Sequence, residues 1–233
     1  MIKVNRQAIF SIEYIGQDKT PVIIIDNYTD NFDEIEDEIV AHSDFKPDEV
    51  SYYPGKRSAI PKSIVVGYLK PLIAVLYRVY KFPDLLKPSP VDNYFSLITT
   101  QPEELSAMQS WPHFDTPNPK FIAIIHYINK NEHGGTAFFK HNKSGLDRID
   151  NQGMETYLKH ADNYFNSLNT STFDYCGEQH SEFTCYKKIA YKPNRLIIFP
   201  GQLLHSTLVN VATDINGDPS TGRLTANFFV EFN

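Results

Sequence analysis

Two of the chain's eight histidines stand where they could do metal chemistry. WPHFD, residues 111–115, sets His113 and Asp115 two apart, behind a proline and the only tryptophan. In extended backbone, residues i and i+2 point to the same side. One imidazole and one carboxylate could therefore face a single ion. Taken alone the pair is a weak signal, and a solvated strand end is its commoner explanation.

His205 adds a second imidazole. In RLIIFPGQLLHSTLV an apolar run reaches Phe199, Pro200 and Gly201 turn the chain, and Leu204 and His205 open the next run. A β-sandwich can set that strand beside the one carrying His113. Two imidazoles and one carboxylate would then converge, a set that leaves one face of an octahedral metal open, as in ferrous oxygenases. By itself His205 reads as a hydrogen-bonded core histidine.

Further polar residues follow on strand-like segments. Arg223, in GRLTANFFVEF, comes 18 residues after His205, with Thr225 two further along on the same face. The stretch between, NVATDINGDPSTG, reads as a hairpin loop. A buried arginine needs an anionic partner. That partner is either a structural carboxylate or a ligand carboxylate gripped by the planar fork. In HYINKNEHGGTAFF, Tyr127 can present its hydroxyl inward, and Gly134 and Gly135 let the chain turn back. His126 alternates with Tyr127 and should face the other way, packed rather than ligating. His133 and His141, near the glycines, read as exposed. Tyr52, Tyr53 and Arg57 in SYYPGKRS are candidates for the rim of a substrate pocket, against the plainer reading of a surface loop.

Several elements must position these residues. PVIIID, residues 21–26, reads as a buried strand. Asn31 and Glu34 have the spacing of a capping box, and Phe32, Ile35 and Ile39 give the helix behind it an apolar face. Residues 44–63 read as loop. A second helix is predicted from Pro71, with Leu72, Val75, Leu76 and Val79 inward. From about residue 92 the period shortens to seven β-like runs: NYFSLITT, FIAIIHYIN, TAFFK, CYKKIAYK, RLIIFP, LHSTLV and LTANFFVEF. Helical spacing returns over residues 153–168. The expectation is a mainly β fold with flanking helices, as one domain over residues 1–233. Residues 1–91 would support a core at 92–233, which carries an insertion at about 141–192.

Composition narrows the partners. The 233 residues carry a net charge of −6 with no Lys/Arg-rich block, so no nucleic-acid surface is indicated. The longest apolar stretch, PLIAVLYRVYKF, is too short to span a bilayer, and no signal peptide is read at the start. Cys176 and Cys185 are too few for a disulfide scaffold and read as reduced thiols of a cytoplasmic protein. Oligomeric state is left open.

The order H-x-D, Y-[LI]-N, GG-T-x-F, a distal histidine on a strand, then R-x-T resembles the Fe(II)/2-oxoglutarate-dependent oxygenases. Within them it is most similar to the prolyl 4-hydroxylase-like branch, and more narrowly to an uncharacterised bacterial family beside it. PVIIIDNY also resembles that branch's opening strand. The match covers roughly residues 93–140 and 194–232. The resemblance implies a double-stranded β-helix, or jelly roll. It implies Fe(II) on His113, Asp115 and His205, and 2-oxoglutarate held by Arg223, Thr225 and Tyr127. It also implies oxygen as the other co-substrate, with release of succinate and CO2 as a C–H bond is oxidised. The spacing from His205 to Arg223 is longer than is usual there, and residues 141–192 match no assigned element. The substrate is a small molecule or a peptidyl side chain. Two other readings keep the barrel: a metal-dependent hydrolase or lyase, or a binding module without turnover.

Overall fold

The computed structural model describes residues 2–48, 51–168 and 172–233. Among the described residues there are twelve strands and four α-helices. They are β1 (Ile9–Ile15), β2 (Thr20–Asp26), α1 (Phe32–His42), β3 (Lys46–Pro47), β4 (Gly55–Ala59), α2 (Lys62–Leu69), α3 (Ile73–Tyr80) and β5 (Pro88–Ile98). Then come β6 (Phe121–Tyr127), β7 (Thr136–His141), α4 (Asn151–Ser167), β8 (Gln179–His180), β9 (Phe183–Ile189), β10 (Leu196–Pro200), β11 (His205–Thr207) and β12 (Leu224–Phe232). An eight-stranded sheet has the order β1-β2-β10-β6-β12-β5-β4-β3, and a four-stranded sheet has the order β11-β7-β9-β8.

Strand alternation decides what each face of the large sheet does. Along β12, Leu224, Ala226, Phe228, Val230 and Phe232 join Ile35, Ile39, Val65, Tyr68, Leu69 and Leu76 of the helices in one core. The intervening Thr225, Asn227 and Phe229 point to the other face. A second core there, with Val22, Ala123, Ile197 and Phe199 from the large sheet and Phe138 and Ile189 from the small one, joins the two sheets. The result is a mainly β sandwich whose large sheet is backed by helices.

All seven β-like runs contain strands, and the helical spacing at 153–168 falls in α4 up to Ser167, with Leu168 as its extended C-cap. Other expectations need correction. The 44–63 segment is not simply loop: β3 and β4 pair there at the sheet edge, and α2 begins at Lys62 (Glu49 and Val50 lie outside the described residues). The predicted helix at Pro71 starts at Ile73, with Leu72 as its N-cap. Asn31 does precede α1 but makes no side-chain cap bond. Its Oδ1 accepts instead from the backbone N–H of Lys3, and its amide donates to Glu34. The 141–192 stretch is not wholly an insertion either, because β9 pairs with β7 inside the small sheet. Cys176 and Cys185 are both free thiols. No single described helix is long and apolar enough to cross a membrane.

His126 faces the helices, as the alternation with Tyr127 required. It is fully buried against the rings of Tyr28, Phe32 and Tyr68. Its Nε2 lies 3.0 Å from Asn194 Oδ1, and its Nδ1 3.0 Å from the Tyr68 hydroxyl. The Asn194 amide donates to Thr29 O, so its Oδ1 must accept; the network assigns the proton to Nε2 and leaves Nδ1 to accept from Tyr68. Asn194 can serve this corner because it adopts φ 59°, a conformation asparagine tolerates.

Burial pushes the His126 pKa down to about 4, against the pull of Asn194. The unfolded chain therefore binds the extra proton first as pH falls. His126 costs nothing above pH ~6.5, and stability drains away between there and about pH 4. Urea unfolding of the wild type should lose on the order of 2–3 kcal/mol across that window relative to His126→Gln. Parallel pH profiles for the two proteins would contradict this.

Candidate metal centre

His113 and His205 face each other across an isolated antiparallel bridge. Each backbone N–H donates to the other's carbonyl, at 2.9 and 2.8 Å. The imidazole centroids are consequently 4.2 Å apart, with planes inclined at 51°. His205 Nδ1 is 2.9 Å from the Leu203 carbonyl, which can only accept, so Nδ1 carries the proton and Nε2 keeps its lone pair. Asp115 is seated by its own N–H, which donates to Gly201 O at 2.7 Å. Its Oδ1 then lies 4.0 Å from Nε2 of both histidines.

One ligand atom from each of the three residues lies within 4.8 Å of the others. Two donors each about 2.1 Å from one ion can be at most about 4.2 Å apart, and Asp115 Oδ1 is inside that limit from each histidine. Asp115 Oδ2 is buried without a hydrogen-bond partner. An oxygen in that condition costs free energy unless a cation or donor meets the carboxylate. Burial pushes the Asp115 carboxyl above the usual carboxylate range, against the pull of His205 and Arg57. His113 is 56% open at its side chain, but the opening faces the cavity described below. Desolvation there, then the charges of His205 and Arg57, hold its pKa well below the ordinary imidazole value.

The segment before the site is clamped from outside. Trp111 packs on Phe183, Tyr164 and Phe165, at ring separations of 4.6 to 5.0 Å. The Tyr157 hydroxyl of α4 donates to the Pro112 carbonyl. The 141–192 stretch thus reaches the strand end that carries His113 directly.

A cavity of about 510 Å³ opens over the three residues. Tyr52, Tyr53 and Arg57 all line it, and so do Tyr157 and Tyr175 from the 141–192 stretch. Arg57 pairs with Ser96, Ser96 with Thr225, and Thr225 with Tyr127, so one rung of paired residues crosses β4, β5, β12 and β6. Of its four residues Arg57 alone lines the cavity. Arg57 Nη1 donates to Asp48 at 2.7 Å and Ser51 at 3.0 Å, and the guanidinium sits 4.4 Å over the Tyr53 ring.

Arg223, Thr225 and Tyr127 are gathered at one end of β12 and β6, all deeply buried. They do not line the cavity themselves. Thr136 and Asn227, the hydrogen-bond partners of Tyr127 and Thr225, do. Arg223 is 3% exposed; its Nε donates to Gly134 O at 2.7 Å, beside the rings of Tyr127 and Tyr191. Among the described residues no carboxylate oxygen lies within 4.0 Å of it, although Arg57 has one. A structural salt bridge for Arg223 is therefore not what the fold supplies.

Two histidine expectations fail. The His133 side chain is 1% exposed and His141 is fully buried, each beside a polar partner: Asp214 for the first and Ser144 for the second. The glycine pair also works differently from the expected turn. A Cβ on Gly134 would sit 1.4 Å from Leu208 O, and one on Gly135 2.1 Å from Ile189 O. Close backbone approach excludes any side chain at both. Sequence reading missed Thr136 and Asn227, although Asn227 stands at the next same-face position after Thr225 and strand period alone could have found it.

Comparisons agree with this architecture. HygX from Streptomyces hygroscopicus, with nickel and 2-oxoglutarate bound, superimposes with a TM-score of 0.50 at 11% identity, over 92% of this chain and 84% of that one. The same protein with iron bound gives 0.50 at 8% identity, covering 92% and 83%. With nickel, 2-oxoglutarate and hygromycin B it gives 0.50 at 12%, covering 92% and 84%. At such identities the likeness defines the fold. The chain belongs to a family of unknown function, DUF6445, whose model matches residues 6–230. No curated protein matches it in sequence.

Gly201 faces a specific demand, since its Cβ would lie 2.7 Å from the Phe121 ring and 2.9 Å from Asp115 Oδ2. Gly201→Ala should cost about 1–3 kcal/mol through overpacking of a tight site. It should also displace Asp115 from the histidines, read as a lower midpoint in urea and weaker Mn(II) binding. An unchanged midpoint and unchanged Mn(II) affinity would show that the site gives way cheaply.

Proposed function

We propose that this protein is an Fe(II)- and 2-oxoglutarate-dependent oxygenase of the prolyl 4-hydroxylase-like branch, built on a double-stranded β-helix core. The observation that carries the reading is the convergence of His113, Asp115 and His205 beneath a closed-backed cavity. The likeness to HygX supports the fold that such an activity requires. The substrate is a small molecule or a peptidyl side chain.

His113, Asp115 and His205 hold the metal, with His205 kept in its ligating tautomer by Leu203. The bound iron and 2-oxoglutarate supply the oxidising power, with succinate and CO2 as by-products. The chain's own task is placement. Arg223 offers its two Nη groups to the distal carboxylate of 2-oxoglutarate, because only its Nε is committed. Thr225 and Tyr127 complete that end through Asn227 and Thr136. Tyr52, Tyr53 and Arg57 form the substrate-side wall, together with Tyr157 of α4. The aromatic walls keep bulk water from the reacting C–H bond.

Anaerobic calorimetry tests the reading. 2-Oxoglutarate should bind the metal-loaded protein, and the Asp115→Ala protein should bind neither Fe(II) nor, in consequence, 2-oxoglutarate tightly. Arg223→Lys should weaken 2-oxoglutarate by roughly tenfold or more through loss of the fork. With oxygen admitted, succinate should form. No 2-oxoglutarate binding to metal-loaded wild type would refute the proposal, and turnover that persists without oxygen on zinc would point to hydrolysis or lyase chemistry instead.

A further inference from the structure

The connection from β11 to β12 contains a residue that its composition disguises. NVATDINGDPSTG reads as solvated turn, yet its Asp214 is 0% exposed. Four donors converge on that one carboxylate. Oδ1 accepts from His133 Nδ1 at 2.9 Å and Thr213 Oγ1 at 3.0 Å. Oδ2 accepts from the backbone N–H groups of Gly134 at 3.0 Å and Asn210 at 2.9 Å. Burial raises its pKa, but these bonds and the Arg223 charge more than offset that and leave it below the usual range. It is an ionised carboxylate at neutral pH, fully enclosed.

What it holds is one peptide unit away from Arg223. Gly134 and His133 belong to the β6–β7 connection, and Gly134 O accepts the Arg223 Nε bond. That is the only hydrogen bond from the guanidinium within the described residues. The backbone of Arg223 is tied to the same point, its N–H lying 3.5 Å from Asp214 O. No side chain could replace Gly134, whose Cβ would strike Leu208 O and Asp214 Oδ2. The His133 ring makes no second hydrogen bond, because its Nε2 is buried without a partner.

We propose that Asp214 is a positioning residue for 2-oxoglutarate binding: through Gly134 and His133 it fixes the carbonyl that aims Arg223. This rests on the assignment of Arg223 to the distal carboxylate of 2-oxoglutarate. It accounts for the long spacing between His205 and Arg223, since the added loop length delivers a carboxylate to the back of the arginine. Asparagine is not an innocent replacement. Its amide would place N–H groups against the donors that now meet one carboxylate oxygen.

A double-mutant cycle decides it. The full chain is loaded with Mn(II) without oxygen, and 2-oxoglutarate dissociation constants are measured for wild type, Asp214→Asn, Arg223→Gln and the double variant. Asp214→Asn should raise the constant by about tenfold or more, with Mn(II) affinity unchanged. In the Arg223→Gln background the same change should add less than about twofold, because the residues act as one unit. An Asp214→Asn constant like wild type, with Arg223→Gln weakened, overturns the proposal. So does an equal effect of Asp214→Asn in both backgrounds, which marks general loosening. An Arg223→Gln constant like wild type instead removes the Arg223 assignment and this inference with it. If Asp214→Asn does not fold, His133→Gln, which loosens the same carboxylate and spares the loop's backbone bonds, is put through the same cycle with the same expected coupling.

Discussion

A reciprocal pair of backbone hydrogen bonds between His113 and His205 is the constraint on which the site depends. Side chains alone could not hold two imidazoles at this separation, because each has free torsions. A narrow antiparallel bridge fixes both Cα atoms and sends both Cβ atoms the same way. Asp115 is then placed by the next contact along, to Gly201, in the turn that leads to β11. One short ladder thus sets three donor groups, and it exists only because the two sheets close around the second core.

Much of this was legible from residue order, and the parts that were not share a cause. The seven β-like runs and the helical stretch near 153–168 announced themselves through period, which is a local property. Alternation set His113 and Asp115 to one side, and Tyr127 opposite His126, before any contact is known. β4 was hidden, because GKRSA carries no apolar alternation; its pairing with β5 makes it a strand. The capping box at Asn31 was lost to Lys3, a competitor from outside the helix. His133 reads as exposed until Asp214, far along the chain, arrives to meet it. Burial of a polar group is decided by its partner, and a partner distant in sequence leaves no local trace.

The cavity gathers contributions of different kinds. The large sheet gives Arg57 of β4, Tyr94 of β5, and Asn227 and Phe229 of β12. The 141–192 stretch gives an aromatic side, and its Tyr157 also grips the carbonyl of Pro112 beside His113. The wall and the strand end that carries His113 are therefore mechanically joined. A change in α4 that shifts Tyr157 is felt at the backbone of the WPHFD segment, which makes this stretch part of the site's frame as well as its boundary.

The alternation along β12 has a consequence for how such a chain can change over generations. Leu224, Ala226 and Phe228 belong to the helix-backed core, and Thr225, Asn227 and Phe229 to the opposite face. Inserting one residue in the strand would exchange the two sets, losing hydrophobic burial and the polar rung together. The two long connections, between His141 and Phe183 and between Thr207 and Leu224, count no face along their whole length. They are held at single points instead, by Tyr157 on Pro112 and by Asp214 on Gly134, so residues can be added between those points while the strands remain under a shared arithmetic of even numbers.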